Sequence, residues 1–211
     1  MQISLAGKVV IITGASRGIG EAAALAFAET GADVVLVARK IEALEAVAAK
    51  VREKGVRALA LSAHIGRMEG IEDVVARTVK EFGRIDVLVN NAASNPTMAN
   101  AMDVDERAWD SIMNLNLKGL FFMSQRVARV MREQGGGRII NITSAGGIRP
   151  HILPVYSISK GAVVMATKVM ALEWAKDGIN VNAVAPGLTQ TKFSEALWND
   201  EDILKYLLAR I

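Results

Sequence analysis

Cysteine is absent from the 211 residues. That excludes disulfides, thiolate nucleophiles and cysteine-based metal centres. Histidine is scarce: His64 and His151 stand far apart, with no metal-ligand spacing. Aromatic residues make up 5% of a chain that is 51% hydrophobic, so the core is expected to be aliphatic. No apolar run reaches the ~18 residues that indicate a membrane span. The start, "MQISLAGKVVIITGAS", lacks the basic region and long apolar stretch of a signal peptide. Charge of one sign is not concentrated anywhere. The formal net charge is +3 and the basic residues are scattered, which does not point to nucleic acid. These absences set the expectation of a soluble, cytoplasmic protein without metal, nucleic-acid or membrane partners.

What is present is an alternation. Short aliphatic runs at 8–13, 33–38, 56–61, 85–90, 137–143 and 179–185 read as strands, and most are nearly continuous, as in strands covered on both faces. Longer helical patterns separate them. In one, Ile41, Leu44, Val47 and Val51 form a stripe from which Glu42, Glu45 and Lys50 are excluded. "EQGGGR" (133–138) reads as a helix stop and a turn into the next strand. There are no repeats, low-complexity segments or linkers. The pattern predicts one domain over residues 1–211, an α/β fold with a three-layer, doubly wound parallel sheet.

"TGASRGIG" (13–20) follows the first strand and opens the first helix. Gly14, Gly18 and Gly20 allow a tight turn and close approach of a pyrophosphate, and the helix N-terminus offers N–H groups to the anion. The second strand ends in "VAR", with Arg39 standing 19 residues after Gly20 where an acid would bind an NAD ribose. A guanidinium there suits a 2′-phosphate, with Arg17 able to flank it. The cofactor expected is NADP(H) in preference to NAD(H).

Further polar residues fall at or beyond strand C-terminal ends, where a doubly wound sheet places its ligand. Ser144 follows the fifth strand, and Tyr156 and Lys160 open the next helix one turn apart in "YSISK". Asn116 interrupts an apolar helix in "NLNLKGLFF". With "NNAA" after the fourth strand and "PGLTQT" (186–191) after the sixth, these motifs resemble the short-chain dehydrogenase/reductase family, in order and spacing, from about residue 5 to the end. "HIG" with "NNAASNP" narrows the likeness to branches that include carbonyl and retinal reductases, with 3-oxoacyl-carrier-protein reductases as the nearest rival.

The resemblance implies an Asn116–Ser144–Tyr156–Lys160 tetrad. Tyr156 would be the acid in reduction and the base in oxidation. A free phenol, with a pKa near ~10, is ~4 kcal/mol short of ionisation at neutrality, and the Lys160 ammonium would favour the phenolate. Ser144 would hold the substrate oxygen and Asn116 would anchor a water leading to Lys160. Cofactor contacts are implied at Gly14, Ser16, Arg17, Gly18, Ile19, Gly20, Arg39, His64, Ile65, Asn91, Ala92, Ala93, Tyr156, Lys160, Pro186, Gly187, Thr189 and Thr191. Two departures stand out. Ala93 replaces the family's usual glycine, and His64 replaces the acid that contacts adenine.

The resemblance also implies a further strand and helix, so a chain ending at Ile211 would leave 179–185 as an exposed edge strand. The substrate pocket is expected between 94–102, 151–155 and 188–198, with Ile152, Leu153, Leu188, Phe193, Leu197 and Trp198 as an apolar wall. The reading is an NADPH-dependent reductase of a small hydrophobic ketone or aldehyde. An acyl-thioester reductase and a non-catalytic NADP-binding protein are the alternatives. The apolar circumference of "GAVVMATKVMAL" (161–172), and the family's habit of pairing this helix with its copy, point to a homodimer or homotetramer.

Overall fold

The computed structural model describes residues 4–149 and 152–209. Each aliphatic run forms a strand: β1 (Val9–Thr13), β2 (Asp33–Ala38), β3 (Ala58–Ser62), β4 (Val87–Asn90), β5 (Gly137–Ile142) and β6 (Ile179–Val184). All pair in parallel, in the order β3-β2-β1-β4-β5-β6. Side chains alternate across the sheet, and both sets are buried. Val9, Ile11, Val35 and Val37 face Ile71 and Val74 of α3 (Met68–Phe82), Met123 and Val127 of α5 (Leu120–Glu133), and Val163 and Met170 of α6 (Pro154–Trp174). Val10, Ile12, Val34 and Leu36 face Ala24 and Ala28 of α1 (Gly18–Glu29) and Leu44, Val47 and Val51 of α2 (Ile41–Arg52). Each fully buried aliphatic side chain stabilises this three-layer packing by about 1.5–3 kcal/mol.

Two strands start two residues later than the aliphatic runs. Ile85 and Asp86 precede β4 because the Asp86 carboxylate turns back on the start of β1. It accepts from Val9 N at 3.0 Å and from Arg84 Nε at 2.7 Å. Arg57 precedes β3, its backbone N–H donating to Asp33 Oδ1 at 2.9 Å.

The long helical stretch after β4 is not one uniform helix. α4 (Glu106–Met113) runs into a π-helical segment, Asn114–Gly119, before α5 begins. Gly119 allows the close approach there, since a Cβ would come to 2.5 Å from the Ile65 carbonyl oxygen. Beyond α5, Gly135 and Gly136 turn the chain at φ 89° and 131° into β5. After β6 come two short helices, α7 (Glu195–Trp198) and α8 (Glu201–Leu208).

The stretch Pro154–Asp177 is long and apolar enough to cross a membrane, although Lys160 and Lys168 interrupt its apolar run. In this fold it packs on β6 and buries Lys160. β6 lies at one edge of the described sheet, with Asn180, Asn182, Ala183 and Val184 exposed.

The strand order reverses between β1 and β4, which opens a crevice at their C-terminal ends. Asn91 spans it. Its Nδ2 donates to Thr13 O at 3.0 Å and to Gly14 O at 3.1 Å. Thr13 Oγ1 in turn accepts from the backbone N–H groups of Asn91 (3.0 Å) and Ala92 (3.1 Å).

Candidate active site

A cavity of about 1590 Å³ follows this crevice. Small-molecule sites are usually ~300–1,000 Å³, so a dinucleotide and a substrate fit together. At one end Gly14 and Gly18 take positive φ of 67° and 60°. A Cβ on Gly14 would sit 2.9 Å from Ala92 Cα, so only glycine lets this turn pack against the segment that follows β4. Arg17 precedes α1 in an extended conformation without a side-chain capping bond. The first-turn N–H groups of α1 are therefore left for an anion. Arg39 stands exposed just beyond β2 and lines the same cavity. The described lining holds Arg17, Arg39, Lys40, Arg67, Lys118, Arg149, Lys160 and Lys192 but no aspartate or glutamate. Both the glycine cradle and the charge of the lining fit a phosphorylated dinucleotide.

At the other end, β5 delivers Ser144 and α6 delivers Tyr156 and Lys160. Ser144 caps a 3-10 turn, Ala145–Gly147, with Oγ accepting from Gly146 N at 3.1 Å. That turn is seated against α6, because a Cβ on Gly147 would meet the Lys160 carbonyl carbon at 2.6 Å. Thr143 Oγ1 donates to Lys160 O at 2.8 Å and clips the same helix turn to the end of β5.

Burial pushes the Tyr156 phenol pKa up, and the neighbouring Ser144 hydroxyl opposes that rise. Lys160 is 2% exposed. Its Nζ donates to Ile142 O at 2.7 Å and lies 5.7 Å from the Tyr156 ring centroid. Burial brings its pKa down to about 8. In the free chain Lys160 does not figure among the influences on the phenol. The ammonium turns to a backbone carbonyl, and desolvation dominates the phenol. With its pKa raised above the ordinary phenol value, Tyr156 is protonated near neutrality.

The family profile for short chain dehydrogenase matches residues 8–202. The chain belongs to the short-chain dehydrogenase/reductase family. Among its relatives is a 2-dehydro-3-deoxy-D-gluconate 5-dehydrogenase of Dickeya dadantii, 45% identical over 99% of this chain and 82% of the relative. Another is the dehydrogenase/reductase SDR family member 4 of Oryctolagus cuniculus, 39% identical over 98% of this chain and 81% of the relative. The crystal structure of a gluconate 5-dehydrogenase from Burkholderia cenocepacia, in complex with NADP and tartrate, superposes with a TM-score of 0.93 at 34% identity. That match covers 99% of this chain and 82% of the other.

Within this dehydrogenase, most of the expected site residues meet in the cavity. Ser144, Tyr156 and Lys160 line it, as do Gly14, Ser16, Arg17, Gly18, Ile19, Arg39, His64, Ile65, Asn91, Ala92, Ala93, Pro186, Gly187, Thr189 and Thr191. Two expected residues do not. Gly20 is buried, and a Cβ there would collide with the Gly14 carbonyl, so its glycine serves packing of α1 under the turn. Asn116 is fully buried in the π-helical segment. Its Oδ1 accepts from Ser94 N (2.8 Å), and its Nδ2 donates to Ser94 O (3.0 Å) and Ser159 Oγ (3.1 Å). The side-chain N–H groups are thus spent on holding the post-β4 loop against α6.

His64 keeps its place but has a structural duty, its Nδ1 accepting from Gly66 N at 3.1 Å. Of the expected wall, Ser94, Leu153, Leu188, Phe193 and Leu197 line the cavity. Ile152 and Trp198 do not. Trp198 instead donates from Nε1 to Thr191 O at 3.2 Å and braces the loop that carries Phe193. His151 lies outside the described residues. The sequence reading missed Thr13, Ser159 and Arg149. The first two are signalled only by the partners they bond.

Proposed function

We propose that this chain is an NADP(H)-dependent oxidoreductase that reduces a ketone or aldehyde and, in reverse, oxidises an alcohol. The observation that carries the reading is one cavity, without an acid in its described lining, with the glycine cradle and Arg39 at one end and Ser144, Tyr156 and Lys160 at the other. NADPH, when bound, supplies the hydride. Arg39 and Arg17 would hold its 2′-phosphate and the α1 N-terminus its pyrophosphate. In reduction, Ser144 holds the substrate oxygen and Tyr156 donates its proton to that oxygen. Lys160, close to its ionisation point, restores the charge balance at the phenol. Leu153, Leu188, Phe193 and Leu197 line the substrate end, and the Phe193 ring lies 5.8 Å from that of Tyr156. They exclude water and suit a hydrophobic substrate body. A second reading, a hydroxylated oxo acid, is favoured by the likeness to the 2-dehydro-3-deoxy-D-gluconate 5-dehydrogenase.

A second copy of the chain completes this proposal. Ile158, Met165, Val169 and Leu172 form an exposed apolar stripe along α6, suited to the same helix of a partner.

The cofactor assignment is tested by titrating NADPH and NADH against wild type and Arg39→Asp, read by tryptophan fluorescence. Wild type is expected to prefer NADPH by ten-fold or more, on the order of one charge-assisted contact. The variant is expected to lose that preference. Equal affinity of wild type for both cofactors would refute the role given to Arg39.

A further inference from the structure

We infer that Arg149 reads an anionic group on the substrate: the reacting ketone carries a carboxylate that the Arg149 guanidinium holds while its carbonyl lies at Ser144 and Tyr156. This rests on the reductase reading above and narrows its substrate class. Arg149 lines the cavity, and no carboxylate side chain shares that lining among the described residues. The other cations have different duties or places. Arg17, Arg39 and Lys40 follow β1 and β2, at the cradle end. Lys118 lies on the π-helical segment packed against Ile65, beyond β3. Arg67 lies 3.9 Å from Glu69, and Lys192 lies 3.2 Å from Glu195. Lys160 is committed to Ile142 O. Arg149 has no ion pair among the described residues, and it belongs to the β5–α6 connection that also supplies Ser144.

That connection holds the arginine in register with the reacting groups. Gly147 N donates to Ser144 O at 2.9 Å, and Ile148 N and Arg149 N both donate to Ala145 O at 3.0 Å. The turn they form is the one seated on the Lys160 backbone. Arg149 is thus placed at the substrate end by the same backbone that places Ser144. A guanidinium presents a fork of N–H donors matched to a carboxylate. The chemistry is balanced without the carboxylate. Hydride adds to the carbonyl carbon, the Tyr156 proton goes to the carbonyl oxygen, and the acid group is a bystander that sets position.

The test uses matched probes: levulinate, acetoacetate and pyruvate, each against its methyl ester, with NADPH and full-length wild type, Arg149→Gln and Arg149→Lys. The expected result is that wild type favours the acids. Arg149→Gln should raise KM for the acids about ten-fold or more while changing kcat little, as loss of a hydrogen bond to a charged group implies. The esters and the NADPH dissociation constant should be unmoved, and Arg149→Lys should recover part of the loss. An acid-to-ester ratio identical in wild type and Arg149→Gln overturns the inference and leaves the reductase reading standing. Failure of wild type to reduce any acid or ester, with NADPH bound, overturns both.

Discussion

Replacing Lys160 by methionine should make the protein more stable and inactive at once. Lys160 is 2% exposed, and burial lowers its pKa from 10.5 to about 8. At roughly 1.4 kcal/mol per unit, carrying that ammonium in the folded state destabilises it by about 3 kcal/mol at neutral pH. Below about pH 8 folded and unfolded chains both hold the proton, so the penalty is constant. Between about 8 and 10.5 the unfolded chain keeps the proton that the folded chain has released, and stability rises with pH. Above that window the penalty is gone. Methionine has similar length and no charge, but it forfeits the 2.7 Å bond from the ammonium to Ile142 O, a loss of about 2 kcal/mol. The net gain at neutral pH is about 1 kcal/mol, or roughly 2–4 °C in Tm for a domain of this size. Thermal unfolding followed by circular dichroism at several pH values should show the gap shrinking as pH rises through the window. A variant less stable than wild type at pH 7, or a difference that ignores pH, would refute the reasoning.

Asn116→Ala should destabilise the fold by about 2–4 kcal/mol, because it removes three bonds and leaves both Ser94 backbone groups without their partner. The shift in denaturant midpoint measures this, and an unchanged midpoint would contradict the bracing role. Sedimentation at micromolar concentration should show a dimer or larger assembly that Met165→Glu with Leu172→Glu dissociates. A monomeric wild type would remove the partner from the account.

Much of this molecule was legible because local chemistry and global fold agree. β-Branched runs such as "KVVIIT" and "DVVLVA" have one stable home, the interior of a parallel sheet, and their alternation with helical stripes dictates the layers. The glycine turn was legible because a backbone at φ 67° beside Ala92 tolerates no side chain. What escaped depends on contacts distant in sequence. The π-helical segment follows from Gly119 meeting Ile65 and Asn116 meeting Ser94, and helical periodicity carries no trace of either. Gly20 reads like a phosphate glycine, yet its neighbour is the carbonyl of Gly14. The raised phenol of Tyr156 reflects burial by the surrounding fold, which the spacing of "YSISK" could not reveal. Nothing in the sequence around Arg149 marks it, because its place on the cavity comes from the turn that follows Ser144.

The most direct test of the central claim is a single-turnover comparison of wild type and Tyr156→Phe, following loss of reduced nicotinamide absorbance from NADPH-loaded protein mixed with a ketone that wild type reduces. The account predicts that NADPH binds both proteins equally. It also predicts that the variant loses at least about 10²-fold in rate, the scale of a positioned general acid. A variant that reduces the ketone at the wild-type rate would contradict the assignment of Tyr156 as the proton donor.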